Sequence, residues 1–240
     1  MKRAPLPDAH EDAGVQSADA KANVALDELG NWIEQGLLPE VVPTRQQRSL
    51  RNALAMLDAG RALLQNRSLE DLSIEAVCQA AGTTVGAFYG RFEHKQAFFV
   101  TLQRIQTLRS QVVIGDLVRR HAADSAGLDA LCEEMVSITV RNFRANQGVL
   151  RASLQHTKEG MWDLFKESGN RYRAVLEKQL APHLGAHRPA VRRLRILFAY
   201  QALAGVLVHA TLNNPGPLGL DDHQLIPELV RLVRAYLISK

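Results

Sequence analysis

Apolar residues recur along most of this chain at the three-and-four spacing of helices, and no stretch alternates with the period of two that a half-buried strand requires. After Pro43 the first long run puts Leu50, Leu54, Leu57, Leu63 and Leu64 on one face. Met56 and Gly60 lie beside them, and Arg45, Arg48, Arg51 and Arg61 point elsewhere. Thr44 with Gln47 three places on predicts a capping box at the start of this helix, and the polar run 66–71 predicts its end. Ser73 is placed to cap a second helix reaching residue 80 or 81, with Glu75 in its positive first turn. Gly82 can take the positive φ that closes such a helix, Thr83 and Thr84 supply a new N-cap, and 85–92 predicts a third helix. Two helices of about eight residues joined at a glycine have the outline of a helix-turn-helix. Beyond Glu93 the periodicity predicts helices over 94–112, 116–122, 127–145, 147–157, 161–183, 188–213 and 222–238. Pro182, Pro189, Pro215 and Pro217 fall between them or in their first turns. The fold class is all-α.

The segment before Pro43 has another character. Residues 1–23 hold Pro5, Pro7, Gly14 and many small or acidic residues without a sustained period, which reads as a disordered tail. Over 24–38, Val24, Leu26, Leu29, Trp32, Ile33 and Leu37 return at near-helical spacing and stop before Pro39, predicting a short amphipathic helix in a docked extension. Charge sharpens the division. Residues 1–43 carry Lys2, Arg3 and Lys21 against eight acidic residues, a net of −5, so the overall +4 leaves +9 on residues 44–240. With a sequence pI near 9.3, the basic remainder favours a polyanionic partner, either duplex nucleic acid or an anionic membrane. The acidic extension has two readings: a solvated tail, or a segment that folds over the basic part and competes with its partner.

Several classes of function find no support. Cys78 and Cys132 lack the paired spacing of a zinc site or a redox dithiol and read as buried, reduced thiols. No nucleophile elbow, phosphate loop or helix with paired metal-binding His is present, so no enzyme, cofactor or metal is expected. His183 and His187 are four apart, but Pro182, Gly185 and Pro189 make a poor helix of that segment. The polar, acidic opening of the chain is not a secretory signal, and a cytoplasmic protein is expected. Residues 196–212 carry no Asp, Glu, Lys or Arg, yet they fall short of about 20 and include Gln201, His209 and Thr211. A buried helix, and no membrane partner, is the expectation.

Between Met56 and Lys95 the runs MLDAGRALL, LSIEAVCQAAG and TTVGAFYGRFEHK resemble the amino-terminal domain of the TetR family of regulators. The apolar positions Met56, Leu57, Ala59, Leu63 and Leu64, the signals at Leu72-Ser73-Ile74, Val77-Cys78 and Ala81-Gly82, and Tyr89, Phe92 and Lys95 carry the likeness. The resemblance implies two of the chain's three parts. Beyond the acidic extension over 1–43, partly disordered with a short helix at 24–38, which charge and composition already set apart, these are a three-helix DNA-binding domain over 44–95 and a larger helical ligand-binding and dimerisation domain over 96–240. It implies a cytoplasmic homodimer that binds a palindromic double-stranded DNA operator and is released by a small-molecule effector. The alternative is a DNA-binding regulator with no such effector, controlled by a protein partner or acting architecturally.

A major groove about 12 Å wide admits one helix, whose first residues meet the base edges. Thr83, Thr84, Val85, Gly86 and Ala87 occupy that end, while Tyr89, Arg91, Lys95 and Arg45 are placed for phosphate. Val85, Gly86 and Ala87 stand where the family often offers a polar side chain. Close backbone approach at Gly86, a thymine methyl against Val85 or Ala87, DNA shape and Arg91 are therefore the expected sources of specificity. In the body, Phe143, Gln155, His156, Trp162, Phe165 and Tyr172 are the candidate pocket lining, and Phe88, Phe92 and Val77 are assigned to core. Leu203, Leu207, Leu225, Leu229, Leu232 and Tyr236 are the candidate dimer contacts, in a two-fold four-helix arrangement.

Overall fold

The computed structural model describes residues 23–123, 127–185, 187–213 and 218–239. The tail expected over 1–23 thus lies outside them except for its last residue, and Pro215 and Pro217 lie outside them too. The described residues form ten α-helices and no strand: α1 (23–34), α2 (Gln47–Leu64), α3 (Ile74–Ala80), α4 (Val85–Tyr89), α5 (Lys95–Ala123), α6 (Leu128–Ala145), α7 (Gln147–Gln155), α8 (Asp163–Leu180), α9 (Pro189–Asn213) and α10 (Leu225–Ile238). Single 3-10 turns follow α7 at Thr157–Glu159 and α8 at Ala181–Leu184. The chain divides into two compact units, a head of residues up to Gly60 with Leu72–Thr101, and a body of Arg61–Asp71 with Leu102 onward.

In the head, α1 is part of the core. Leu26, Leu29, Trp32 and Ile33 are buried, as are Leu38 and Val41 in the strap that follows. At about 1.5–3 kcal/mol for each large apolar side chain taken from water, these residues hold the extension in place. Gly30 marks its approach to α2, since a β-carbon there would come 3.8 Å from Leu50. Gly36, at φ 68°, ends α1: its N–H donates to the Ile33 carbonyl and that of Leu37 to the Trp32 carbonyl, closing the last turn. The Thr44–Gln47 box does not form. The Thr44 hydroxyl accepts from the Gln46 N–H instead, and α2 begins two residues later, at Gln47, after a strap tied by an isolated bridge between Val41 and Phe92.

The body is a layered bundle in which α9 packs on α6, α7, α8 and α10. Leu225, Leu229, Val233 and Leu237 form a four-residue-spaced stripe on α10 that meets Leu131, Met135 and Val136 of α6 and Leu203 and Leu207 of α9 in one core. Arg195 closes α10 by donating to the carbonyls of Tyr236, Leu237 and Ser239, where cations suit a helix C-terminus. The two helices predicted over 94–112 and 116–122 are one. Gly115 in mid-helix costs about 1 kcal/mol, which burial of Leu117 just beyond it offsets. Gly148 of α7 lies against the backbone of Leu64 and Gln65, so close that a β-carbon would collide with it. Arg151, one turn on, donates to the carbonyls of Leu64 at 2.7 Å and Gln65 at 3.0 Å. These carbonyls at the end of α2 have no partner within their own helix.

Candidate nucleic-acid interface

The local sequence builds the helix-turn-helix from side chains bonding to nearby backbone. The Ser73 hydroxyl accepts from the Ala76 N–H at 3.1 Å and starts α3, with Glu75 in the first turn. Gly82, at φ 62°, reverses the chain: its N–H reaches the Gln79 carbonyl and that of Thr83 reaches the Cys78 carbonyl at 2.9 Å. Two residues later the Thr84 hydroxyl accepts from the Ala87 N–H at 3.1 Å and starts α4. An accepting hydroxyl keeps its own proton, so Thr84 is still able to donate outward.

The inner side of α4 is anchored by aromatic packing. Phe88 is fully buried, with ring centroids 5.3 Å from Phe92 and 5.4 Å from Phe98, and the last two stand edge-to-face at 5.1 Å. Val77 is buried as well. The outer side faces solvent: Thr84, Val85, Gly86 and Tyr89 are exposed, Tyr89 to 54%, while Thr83 and Ala87 are half-buried. Arg45 is exposed in the segment before α2, and Lys95 is half-buried at the start of α5.

Arg91 has partners within the head. Its guanidinium donates to the Val42 carbonyl at 2.7 Å and the Pro43 carbonyl at 3.3 Å, and its own carbonyl accepts from the Val42 N–H at 2.8 Å. It pins the strap to the residue just past α4, a long-range contact that no local pattern announces. Sequence reasoning also missed His94, whose Nδ1 accepts from the Ala97 N–H at 3.0 Å and caps α5; histidine is not among the residues a cap search looks for.

In the body, the candidate pocket residues fall into three settings. Phe143 and Tyr172 are core, the Tyr172 ring standing edge-to-face to Tyr200 at 5.6 Å, and burial pushes its phenol well above the usual range. Trp162 and Phe165 are half-buried, their rings tilted at 44° with centroids 5.2 Å apart. Gln155 is exposed, and the His156 ring lies 2.7 Å from both Glu70 and Glu159. Of the candidate dimer contacts, Leu203, Leu207, Leu225 and Leu229 are sealed inside the body's own core, while Leu232 is exposed and Tyr236 half-buried. The outward side of α9 and α10 carries Leu194, Phe198, Val206, Leu212, Leu232 and Ile238. By length and composition α9 is apolar enough to cross a membrane, but its Ile196, Ala199, Leu203 and Leu207 belong to the body's core. Burial pushes the Cys132 thiol up to about 11, with the Asp129 carboxylate adding to it. Burial and then Glu75 push the Cys78 thiol up as well.

A helix-turn-helix with an exposed second helix, followed by a helical body, is the architecture of a bacterial regulator. Residues 56–102 match the family described as bacterial regulatory proteins, tetR family, and residues 127–237 match the tetracyclin repressor-like C-terminal domain. The chain belongs to the TetR family. Over 77 residues it is 34% identical to the "Uncharacterized HTH-type transcriptional regulator YwcC" of Bacillus subtilis (strain 168); the match spans 31% of this chain and only 34% of that protein. Its fold resembles two solved structures. One is a putative TetR-family transcriptional regulator from Mesorhizobium loti MAFF303099, with a TM-score of 0.64, 13% identity, and 80% of this chain and 98% of that one covered. The other is a putative transcriptional regulator from Pseudomonas aeruginosa PAO1, with a TM-score of 0.57, 20% identity, and 80% and 91% covered.

Proposed function

We propose that this protein is a cytoplasmic transcriptional repressor that binds a palindromic duplex operator as a homodimer through α4 and is released by a small-molecule effector bound in its body. The observation that carries the reading is the outer side of α4 and its N-cap, with Thr84, Val85, Gly86 and Tyr89 turned to solvent on a helix that Phe88 locks into the core. Thr83 and the protons of Thr84 and Tyr89 go to phosphate, with Lys95 and Arg45 as cations. Gly86 lets the backbone approach the base edges, and Val85 or Ala87 meets a thymine methyl. Arg91, engaged with the strap, acts by fixing the residues around α4.

The outward apolar side of α9 and α10 is where a second copy packs, across a two-fold axis that repeats Leu194, Phe198 and Leu232 on both partners. Tyr236 borders that side, its ring 5.2 Å from Phe198. Gly205, with open space around its missing side chain, lets two α9 helices come close. Two α4 helices set about one DNA turn apart then read two half-sites.

Fluorescence anisotropy of the purified protein with duplexes enriched from a genomic fragment pool, titrated with salt, tests this. The expected result is association that weakens linearly in log salt with a slope of roughly −0.9 per phosphate neutralised. Absence of salt-sensitive association with any duplex overturns the reading.

A further inference from the structure

Buried and half-buried Ser and Thr side chains in this body share one habit. Ser110, Thr139, Ser153 and Thr211 each donate the hydroxyl proton to the carbonyl four residues back, at 2.7–2.9 Å. Thr107 of α5 does not; its hydroxyl is buried without a hydrogen-bond partner. Beside it Gln106 is only 4% exposed, and neither its amide nitrogen nor its amide oxygen has a partner. By contrast, the amide nitrogen of Gln103, one turn earlier, donates to the Ser153 hydroxyl at 2.7 Å and the Met161 carbonyl at 2.5 Å.

An unpaired buried polar group costs about 1–3 kcal/mol, and three such atoms on one helical turn call for a partner that arrives from elsewhere. Their direction follows from spacing. Gln106 lies between Gln103, which reaches α7, and Ser110, whose hydroxyl also reaches Asn142 of α6 at 3.2 Å. The amide therefore faces the interior lined by α6 and α7. Gln106 offers one donor group and one acceptor side by side, and Thr107 adds a hydroxyl that does either. Between Leu102 and Thr107 the buried residues are Leu102, Gln103, Ile105, Gln106 and Thr107, all uncharged, and the half-buried Arg104 is the ionised side chain of the stretch. A charged ligand held by Gln106 and Thr107 would give up hydration for uncharged partners alone.

We infer that Gln106 and Thr107 form the polar anchor for the effector, and that the effector is an uncharged molecule with an apolar body and one carboxamide, lactam or similar adjacent donor–acceptor group. This rests on the reading of the body as an effector-binding domain.

Two measurements test it. In the free protein, Gln106→Met and Thr107→Val keep the volume and remove the unpaired groups, so each raises the Tm by roughly 2–4 °C for a chain of this size. Gln103→Met, which breaks made bonds, lowers it. A fall in Tm for Gln106→Met means the amide is already satisfied and overturns the inference. In the second measurement the probes are phenylacetamide, with phenylacetate and phenethylamine as its anionic and cationic counterparts. The amide is expected to raise the wild-type Tm more than either counterpart and to lose that effect in Gln106→Met and Thr107→Val. Equal shifts from the charged probes, a shift that survives the substitutions, or no shift from any of the three overturns it. Both measurements read the body without DNA, so failure of operator binding, which would sink the regulator reading, leaves their result separate.

Discussion

Replacing Arg91 separates two roles that the same cation is able to fill. Its guanidinium makes one short and one long hydrogen bond to the carbonyls of Val42 and Pro43 from a half-buried position. Bonds from a charged donor contribute about 1.5–3 kcal/mol when buried, and partial solvent screening places the pair together near the lower end, about 1.5–2 kcal/mol. For a chain of this length Arg91→Ala is then expected to lower the Tm by roughly 3–8 °C. Arg91→Lys, whose ammonium lacks the planar fork, should recover only part of that. The decisive assay is the salt dependence of operator binding. A residue that fixes the strap lowers affinity at every salt concentration but leaves the slope unchanged, whereas removing a phosphate anchor makes the slope shallower by about 0.9 for each phosphate no longer neutralised. A reduced slope with an unaltered Tm would refute the positioning role.

Phe198→Glu, on the outward side of α9, is expected to give a folded monomer in sedimentation velocity and to abolish tight operator binding; a dimer of unchanged stability would remove that face from the interface. Gly148→Ala sets helix propensity against packing: the propensity gain is about 1 kcal/mol, but the new β-carbon meets the immovable backbone of Leu64 and Gln65. A net loss of about 1–3 kcal/mol in chemical denaturation is expected, and a gain in stability would contradict the close approach. The Cys132 thiol, at about 11 folded against 9.0 ordinarily, keeps its proton in the folded chain while the unfolded chain loses it. The folded state therefore binds more protons between those values, and stability falls by up to about 2–3 kcal/mol as pH rises through them. Cys132→Ala should flatten that part of the denaturation profile, and an unchanged slope would show that the thiol is not responsible.

What the sequence revealed well was what short-range chemistry decides. Ser73, Gly82 and Thr84 act on backbone within five residues, so the helix-turn-helix could be read from their order and spacing. Interactions between distant segments were hidden. The grip of Arg91 on residues 42 and 43, and that of Arg151 on the end of α2, depend on a fold that periodicity does not supply. The same limit explains the dimer candidates. Because α9 is apolar nearly all round, its pattern does not say which side turns inward; packing buries Leu203 and Leu207 and leaves Leu194 and Phe198 outside. Thr44 failed as a box partner because the strap before it is pinned to Phe92 and delays the helix. Aromatic residues drew attention to the pocket, whereas the unpaired groups are Gln106 and Thr107, and pairing is a property of neighbours rather than of residue type.

The helix at 23–34 changes where the reading head ends as a physical object. The stretch by which the family is recognised begins at residue 56, yet the buried apolar residues of the head already include Trp32, Ile33 and Val41, the last bridged to Phe92 just past α4. A border drawn by kinship would cut through that interior. Any chimera that transplants this head onto another regulator's body has to carry the leading helix with it, or leave an open apolar trench on the donor fragment.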